Sequence, residues 1–141
     1  MGAKKIVQIQ RNGGQAEAVK SMSINKEGMW VAIDATGQPE VWKDAVSTVK
    51  PGGMVNLFGG CNPGTEVNLA ANLLHYSEIT IKGVYHHRPD TVRRALRLLS
   101  NKDFPADFLL SDRMPIKHTE KALRAMMAKK ALKVVISGVN E

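Results

Sequence analysis

Residues Val31 to Gly60, VAIDATGQPEVWKDAVSTVKPGGMVNLFGG, confine this chain to a small set of folds. Val31, Ala32 and Ile33 form a short apolar run that ends at Asp34. Such a run suits a strand covered on both faces, as in a parallel sheet. Ala35-Thr36-Gly37 then turns the chain, and Pro39 suits a first helical turn, where its missing N–H costs nothing. Val41, Ala45 and Val49 recur every four residues beside Trp42 and Val46, which predicts a helix with one apolar face. Pro51-Gly52-Gly53 stops it. Met54 to Phe58 reads as a second strand, ended by Gly59-Gly60. Two buried strands joined by a helix make a right-handed βαβ unit. Ligands of such sheets sit beyond the carboxyl ends of the strands. Here those ends are Ala35-Thr36-Gly37 and Phe58-Gly59-Gly60-Cys61. Spacing favours the reading in which the glycines there only make tight turns over one in which they line a ligand crevice.

The flanks extend the same α/β pattern. Lys5 to Gln10 alternates enough for a strand, and Arg11-Asn12-Gly13-Gly14 is a turn cluster. Gln15 to Ser23 has helical spacing through Ala16, Val19 and Met22. After the central unit, Ala70 to Tyr76 reads as one or two helical turns and Glu78 to Tyr85 as a third strand. Asp90 is placed to cap the next helix, since its carboxylate can accept first-turn N–H groups. Val92, Ala95, Leu96 and Leu99 are that helix's expected buried stripe. Phe104 to Leu110 reads as extended. A last helix follows Pro115, with Ala122, Leu123, Met126 and Met127 toward the core, and Leu132 to Ile136 closes with a strand.

The 141 residues suit one domain with a sizeable core. No apolar run is long enough to cross a bilayer, and the N-terminus lacks a signal-peptide pattern. Cys61 is the only cysteine, so no intrachain disulfide forms and a cytoplasmic setting is expected. Net charge is +7, from 20 Lys+Arg against 13 Asp+Glu. The basic residues fall in separate segments, Lys4/Lys5, Arg93/Arg94/Arg97 and Lys129/Lys130/Lys133, with few aromatics between them. Solvated helix faces account for most of them, and a nucleic-acid partner is not expected.

The candidate chemistry is thin. Of the four histidines, His86 and His87 are adjacent, so on a strand they point to opposite faces. With one cysteine besides, no zinc site is expected on this chain. The phosphate-cradling G-x-G-x-x-G is absent: Gly59, Gly60 and Gly64 come nearest, but Cys61 stands where the second glycine belongs. Asp34, at a strand end, either binds a ribose hydroxyl or accepts nearby backbone N–H groups. Cys61 has no cationic neighbour in sequence to activate it.

Read in order, GAKKIVQ, EAVKSM, VAIDATGQPEVWKDAV, VKPGGMVNLFGG, SEITIKGVYHHRPDTVRRAL and MPIKHTEKALRAMMAKKALKVVI resemble the zinc-dependent medium-chain dehydrogenases, with the sorbitol and threonine dehydrogenase branch nearest. The resemblance covers the C-terminal part of that family. It implies a partial Rossmann-like parallel sheet, the last strands of a cofactor domain, with flanking helices and a C-terminal helix-strand return. The family's zinc ligands, proton relay, glycine fingerprint and ribose-selecting acid lie in the part not represented here. The implied function is that of a fragment of an alcohol or polyol dehydrogenase, contributing part of an NAD or NADP site and inactive alone. The alternative is a non-catalytic dimerising or nucleotide-binding module. By resemblance, Ala35 and Thr36 line the cofactor, Phe58-Gly59-Gly60 holds the nicotinamide carboxamide, Tyr85-His86-His87 flanks the nicotinamide, and Lys133 meets the pyrophosphate. The strand Ile79-Tyr85 resembles one that pairs with its twin in a homodimer.

In a Rossmann sheet the strand order is 3-2-1-4-5-6. Without strands 1 and 2, the edge Val31-Asp34 is bare and invites another strand. Lys5 to Gln10 is expected to move in beside it, or a second chain to cover it.

Overall fold

The computed structural model describes residues 3–9 and 13–138. They form two compact units, Met1–His86 and His87–Glu141. The fold is α/β with parallel sheets and flanking helices, as expected.

The first unit runs α1 (Gln15–Lys20), a 3-10 turn (Ile24–Lys26), β1 (Met29–Asp34), α2 (Pro39–Thr48), β2 (Val49–Leu57), α3 (Ala71–Tyr76) and β3 (Thr80–Gly83). All three strands are parallel, in the order β1-β2-β3. Helix α2 starts at Pro39 as predicted and ends at Thr48, whose Oγ1 donates to the Ala45 carbonyl at 2.8 Å. Val49 was expected on the helix face. It is instead extended (φ −80°, ψ 151°) and opens β2. A β-branched residue tolerates that switch well, because its stiff χ1 disfavours another helical turn. The register slips between Met29 and Val31, so β2 takes up the extra Pro51-Gly52-Gly53 residues there and then pairs regularly.

The core lies on one face of this sheet. Ala45 and Val46 of α2 close over Val49 and Val55, and Ala32, Leu57, Leu69, Leu73, Leu74, Ile79 and Ile81 pack around them. Val55 is fully buried, a contribution of roughly 1.5–3 kcal/mol for such a side chain. Both strand connections therefore lie over the same face. The opposite face carries Val31, Met54 and Thr80 in one cross-strand row and Ile33, Asn56 and Lys82 in the next. Val31 is 53% exposed and Ile33 63%. The expectation that β1 is covered on both faces is thus corrected: among the described residues only one face is covered, because both connections went to that side.

The expected strand at Lys5 to Gln10 is also corrected. Residues 5–9 belong to no strand, Ile6 and Ile9 are exposed, and among the described residues β1 has β2 as its only strand neighbour. Gln10, Arg11 and Asn12 lie outside the described residues. The helix expected to Ser23 ends at Lys20, and the third strand is confined to Thr80–Gly83.

The second unit contains α4 (Pro89–Leu99), a 3-10 turn (Ala106–Leu109), β4 (Asp112–Pro115), a 3-10 turn (Ile116–His118), α5 (Thr119–Met127) and β5 (Val134–Ser137). Strands β4 and β5 pair in parallel, Asp112 beside Val134 through Pro115 beside Ser137. Three expectations fail here. Asp90 is not the cap of α4: it lies in the first turn, paired with Arg88 Nε at 3.1 Å, and Thr91 Oγ1 takes the Arg88 N–H at 3.0 Å. Val92, Leu96 and Leu99 are exposed, as are Leu123, Met126 and Met127; of α5, Ala122 is buried. The stripes lie on helices as their spacing predicts, but nothing among the described residues covers them. The extended stretch expected at 104–110 contains a 3-10 turn instead. Among the described residues no helix is long and apolar enough to cross a membrane.

Candidate functional site

Asp34, the last residue of β1, organises the carboxyl end of the sheet. Its carbonyl oxygen accepts two backbone N–H groups from the loop after β2, Phe58 at 3.0 Å and Gly59 at 2.8 Å. Its carboxylate holds the loop after β1. Oδ1 accepts the Thr36 N–H at 3.0 Å and the Thr36 hydroxyl at 2.6 Å. Oδ2 accepts the Gly37 N–H at 3.0 Å and the Trp42 indole N–H at 3.1 Å. The same indole N–H also reaches the Gly59 carbonyl at 3.2 Å. One residue thus ties both strand-end loops and the first turn of α2 together.

Asp34 is only 2% exposed. Burial by itself raises a carboxyl pKa. Here the Thr36 hydroxyl, the Thr36 and Gly37 N–H groups and the Trp42 indole favour the charged form more strongly, and the net shift is downward from the ordinary 3.8. A carboxylate offers about four lone-pair sites. Four donors occupy them, so Asp34 has no acceptor left for a ribose hydroxyl. Of the two readings of this residue, acceptance of local N–H groups is the one realised.

Two glycines let the loops approach each other. Gly37 has φ +67°, and a Cβ there would lie 2.3 Å from the Gly60 carbonyl oxygen. A Cβ on Gly59 would lie 2.3 Å from the Gly37 nitrogen and 2.6 Å from Asp34 Oδ2. No side chain fits either position without moving backbone. Gly60 differs: nothing lies within 4 Å of its would-be Cβ, the residue is exposed, and among the described residues its N–H donates to no protein oxygen. Gly60 is therefore open to solvent, whereas Gly37 and Gly59 let the two loops pack against each other.

The third strand ends beside the second. Val84 N–H donates to the Leu57 carbonyl at 3.3 Å, which puts Tyr85 and His86 at the same end of the sheet as Phe58. The Tyr85 and His86 rings meet edge-on, 3.9 Å between centroids at 61°. Phe58 and Tyr85 are exposed. Ala35, Thr36, Phe58, Gly59 and Gly60 are thus brought together, with Tyr85 and His86 on the next strand's end. His87 and Lys133 belong to the second unit. There Lys133 flanks β5, its carbonyl accepting the Ser111 N–H at 2.8 Å. Among the described residues no group of three or more His, Cys, Asp or Glu is placed to hold a metal ion.

Sequence reading missed the part played by Trp42, which it counted as core. An Asp at a strand end followed by Ala-Thr-Gly is a recognisable signal for a side-chain-closed turn. Nothing in the periodicity of α2 signals that an indole N–H completes it.

Residues 1–101 match the sequence profile of a family described as zinc-binding dehydrogenase. L-threonine 3-dehydrogenase of Xanthomonas oryzae pv. oryzae is 24% identical over 139 residues, covering 97% of this chain and 39% of that protein. Sorbitol dehydrogenase of Bacillus subtilis is 27% identical over 138 residues, covering 96% and 38%. Among solved structures, a Sinorhizobium meliloti protein described as a zinc-binding dehydrogenase and bound to NADP superposes with a TM-score of 0.77 at 23% identity, over 88% of this chain and 36% of that one. The chain spans about two fifths of the length of the curated relatives it matches.

Proposed function

The chain belongs to the zinc-binding dehydrogenase family, and from that premise we propose that its strand-end crevice receives the nicotinamide end of NAD or NADP. The observation that carries this reading is that Asp34 ties the 35–37 and 58–60 loops side by side at the carboxyl ends of adjacent parallel strands. That is where α/β sheets bind ligands. The residues fit a carboxamide: the Gly60 N–H is open to donate, and the exposed Phe58 and Tyr85 rings offer apolar surface to a flat heterocycle. They do not fit a pyrophosphate, since the chain has no G-x-G-x-x-G loop and no helix start built around one.

The whole enzyme's reaction, by this reading, is hydride transfer between a secondary alcohol or polyol and the nicotinamide, for which the bound cofactor supplies the hydride acceptor. This chain contributes position and shape rather than acid–base chemistry: its buried carboxylate is spent on its own loops. The outer edge of β3 has no strand partner among the described residues, which supports pairing of two copies there. A single cysteine supports a reducing compartment such as the cytoplasm.

Titrating the chain with NADH and NADPH while following nicotinamide fluorescence tests the reading. The expected result is weak, saturable binding competed by nicotinamide mononucleotide and reduced by Gly60→Val. Absence of saturation with both dinucleotides, or binding that Gly60→Val leaves untouched, would overturn it.

A further inference from the structure

Gly59 and Gly60 share one peptide unit, whose carbonyl belongs to Gly59 and whose N–H belongs to Gly60. The unit is trans and planar, so its C=O and N–H point in opposite directions. Whatever grips the carbonyl therefore aims the N–H. The grip here is the Trp42 indole, whose N–H donates to the Gly59 carbonyl at 3.2 Å. Among the described residues no other donor reaches that carbonyl. The indole N–H is shared with Asp34 Oδ2 at 3.1 Å, which makes a three-centre bond. Asp34 is buried and also holds the Thr36 and Gly37 N–H groups, so the indole is anchored to a fixed partner.

Little else fixes this peptide. Glycine on both sides leaves the flanking torsions free of Cβ hindrance, so the plane can turn over at small cost. Gly59 is tied at its own N–H, which donates to the Asp34 carbonyl at 2.8 Å. Gly60 is exposed, with nothing within 4 Å of a would-be Cβ and, among the described residues, no protein acceptor for its N–H. Turning the plane over would aim that N–H at the indole, donor against donor. The indole thus favours one of the two orientations.

We propose that Trp42 is a positioning residue: its indole N–H holds the Gly59 carbonyl so that the Gly60 N–H faces outward, preset to donate to the carboxamide oxygen of a nicotinamide. The inference rests on the nicotinamide reading for its ligand, whereas the direction of the peptide is a property of the chain alone. Trp42 itself touches no ligand. A donor already aimed spares the bound state the entropy of fixing it, and affinity gains by that amount.

The full chain, isotope-labelled and weakly aligned, reports the direction of the Gly60 N–H through its residual dipolar coupling. One fixed direction is expected in the parent. In Trp42→Phe the Gly60 coupling should shrink by about twofold or more as the plane turns over. The couplings of Ala32 and Val55 should stay, which also shows that the variant folds. Benzothienylalanine at position 42, in a Trp30→Phe background, keeps the two-ring shape without the N–H and should behave like Trp42→Phe. Amide-shift titrations with NADH and with its thionicotinamide analogue, whose sulfur is a poor acceptor, then read the contact. The parent should bind NADH about tenfold more tightly than the analogue, and Trp42→Phe should lose most of that preference. A Gly60 coupling that Trp42→Phe leaves unchanged refutes the proposal. So does an equal loss of affinity for both dinucleotides, which is the mark of general loosening. Binding by the parent without preference for NADH overturns this proposal alone and leaves the nicotinamide reading standing. Failure of the parent to bind either dinucleotide overturns that reading, and the proposed carboxamide contact with it.

Discussion

The indole nitrogen of Trp42 lies 3.1 Å from Asp34 Oδ2 and donates to it, joining the first turns of α2 to the end of β1. This bond and the Thr36 and Gly37 donors convert a buried carboxylate from a burden into an anchor. A buried charge is costly unless its acceptor sites are filled, and here they are.

Replacing Asp34 by Ala removes both carboxylate oxygens, leaving the Thr36 and Gly37 N–H groups without partners and the Trp42 indole N–H with the Gly59 carbonyl alone. Hydrogen bonds to charged groups contribute about 1.5–3 kcal/mol each, not additively. Asp34→Ala is expected to cost at least about 3 kcal/mol in urea unfolding, and Asp34→Asn less, because its amide oxygen keeps some of the donors. Equal losses for the two substitutions would show that packing, not hydrogen bonding, dominates.

The pH dependence follows from the direction of the Asp34 shift. Its folded pKa lies below the ordinary 3.8, so the unfolded chain takes up the proton first as pH falls. The stabilisation is fully present above that ordinary value and is lost as pH drops through the folded pKa. Chemical denaturation from pH 6 downward should show stability falling below about pH 4, and more steeply in the parent than in Asp34→Asn. Parallel profiles would rule Asp34 out as a contributor.

Three glycines in the crevice should respond differently to alanine. Gly59→Ala places a methyl 2.3 Å from the Gly37 nitrogen, and Gly37→Ala adds a left-handed backbone strain to a clash with the Gly60 oxygen. Each is expected to cost about 2 kcal/mol or more, the range for overpacking plus strain. Gly60→Ala meets nothing and should change stability by no more than about 0.5 kcal/mol. Thermal melts of the three variants check the order.

Trp42→Phe keeps most of the ring but deletes its N–H, freeing Asp34 Oδ2 and the Gly59 carbonyl. A loss of about 1–2 kcal/mol is expected. Faster amide exchange at Gly37 and Gly59 in this variant would locate the loosening in the two loops. Exchange that rises uniformly over the unit would count against a local tie.

On α4, Leu96→Ser should be nearly silent in the chain alone, within about 0.5 kcal/mol, because Leu96 is exposed there. A loss of several kcal/mol in denaturant would mean the stripe is covered in solution.

Local patterns carried most of the architecture of the first unit. The apolar run before Asp34, the four-residue spacing of α2 and the Pro51-Gly52-Gly53 stop placed β1, α2 and β2 to within a few residues. They also placed the two strand-end loops, because parallel strands joined by one helix must end on the same side. Tyr85 and His86 followed from the third strand in the same way. On the later helices, periodicity did not amount to burial. Val92, Leu96, Leu99, Leu123 and Met127 have helical spacing and lie on helices, yet all are exposed.

What the sequence alone determined, then, is that β1, α2 and β2 follow one another as strand, helix and strand and that the strands run parallel. These are properties of neighbours along the chain: turn residues, spacing and chirality. What only the tertiary structure decided is where each face points and what meets it. Asp34 is saturated by donors from 36, 37 and 42, Gly59 is pressed against Gly37, and Ile33 faces water. Periodicity names a face but not its partner, and burial is a relation between two surfaces.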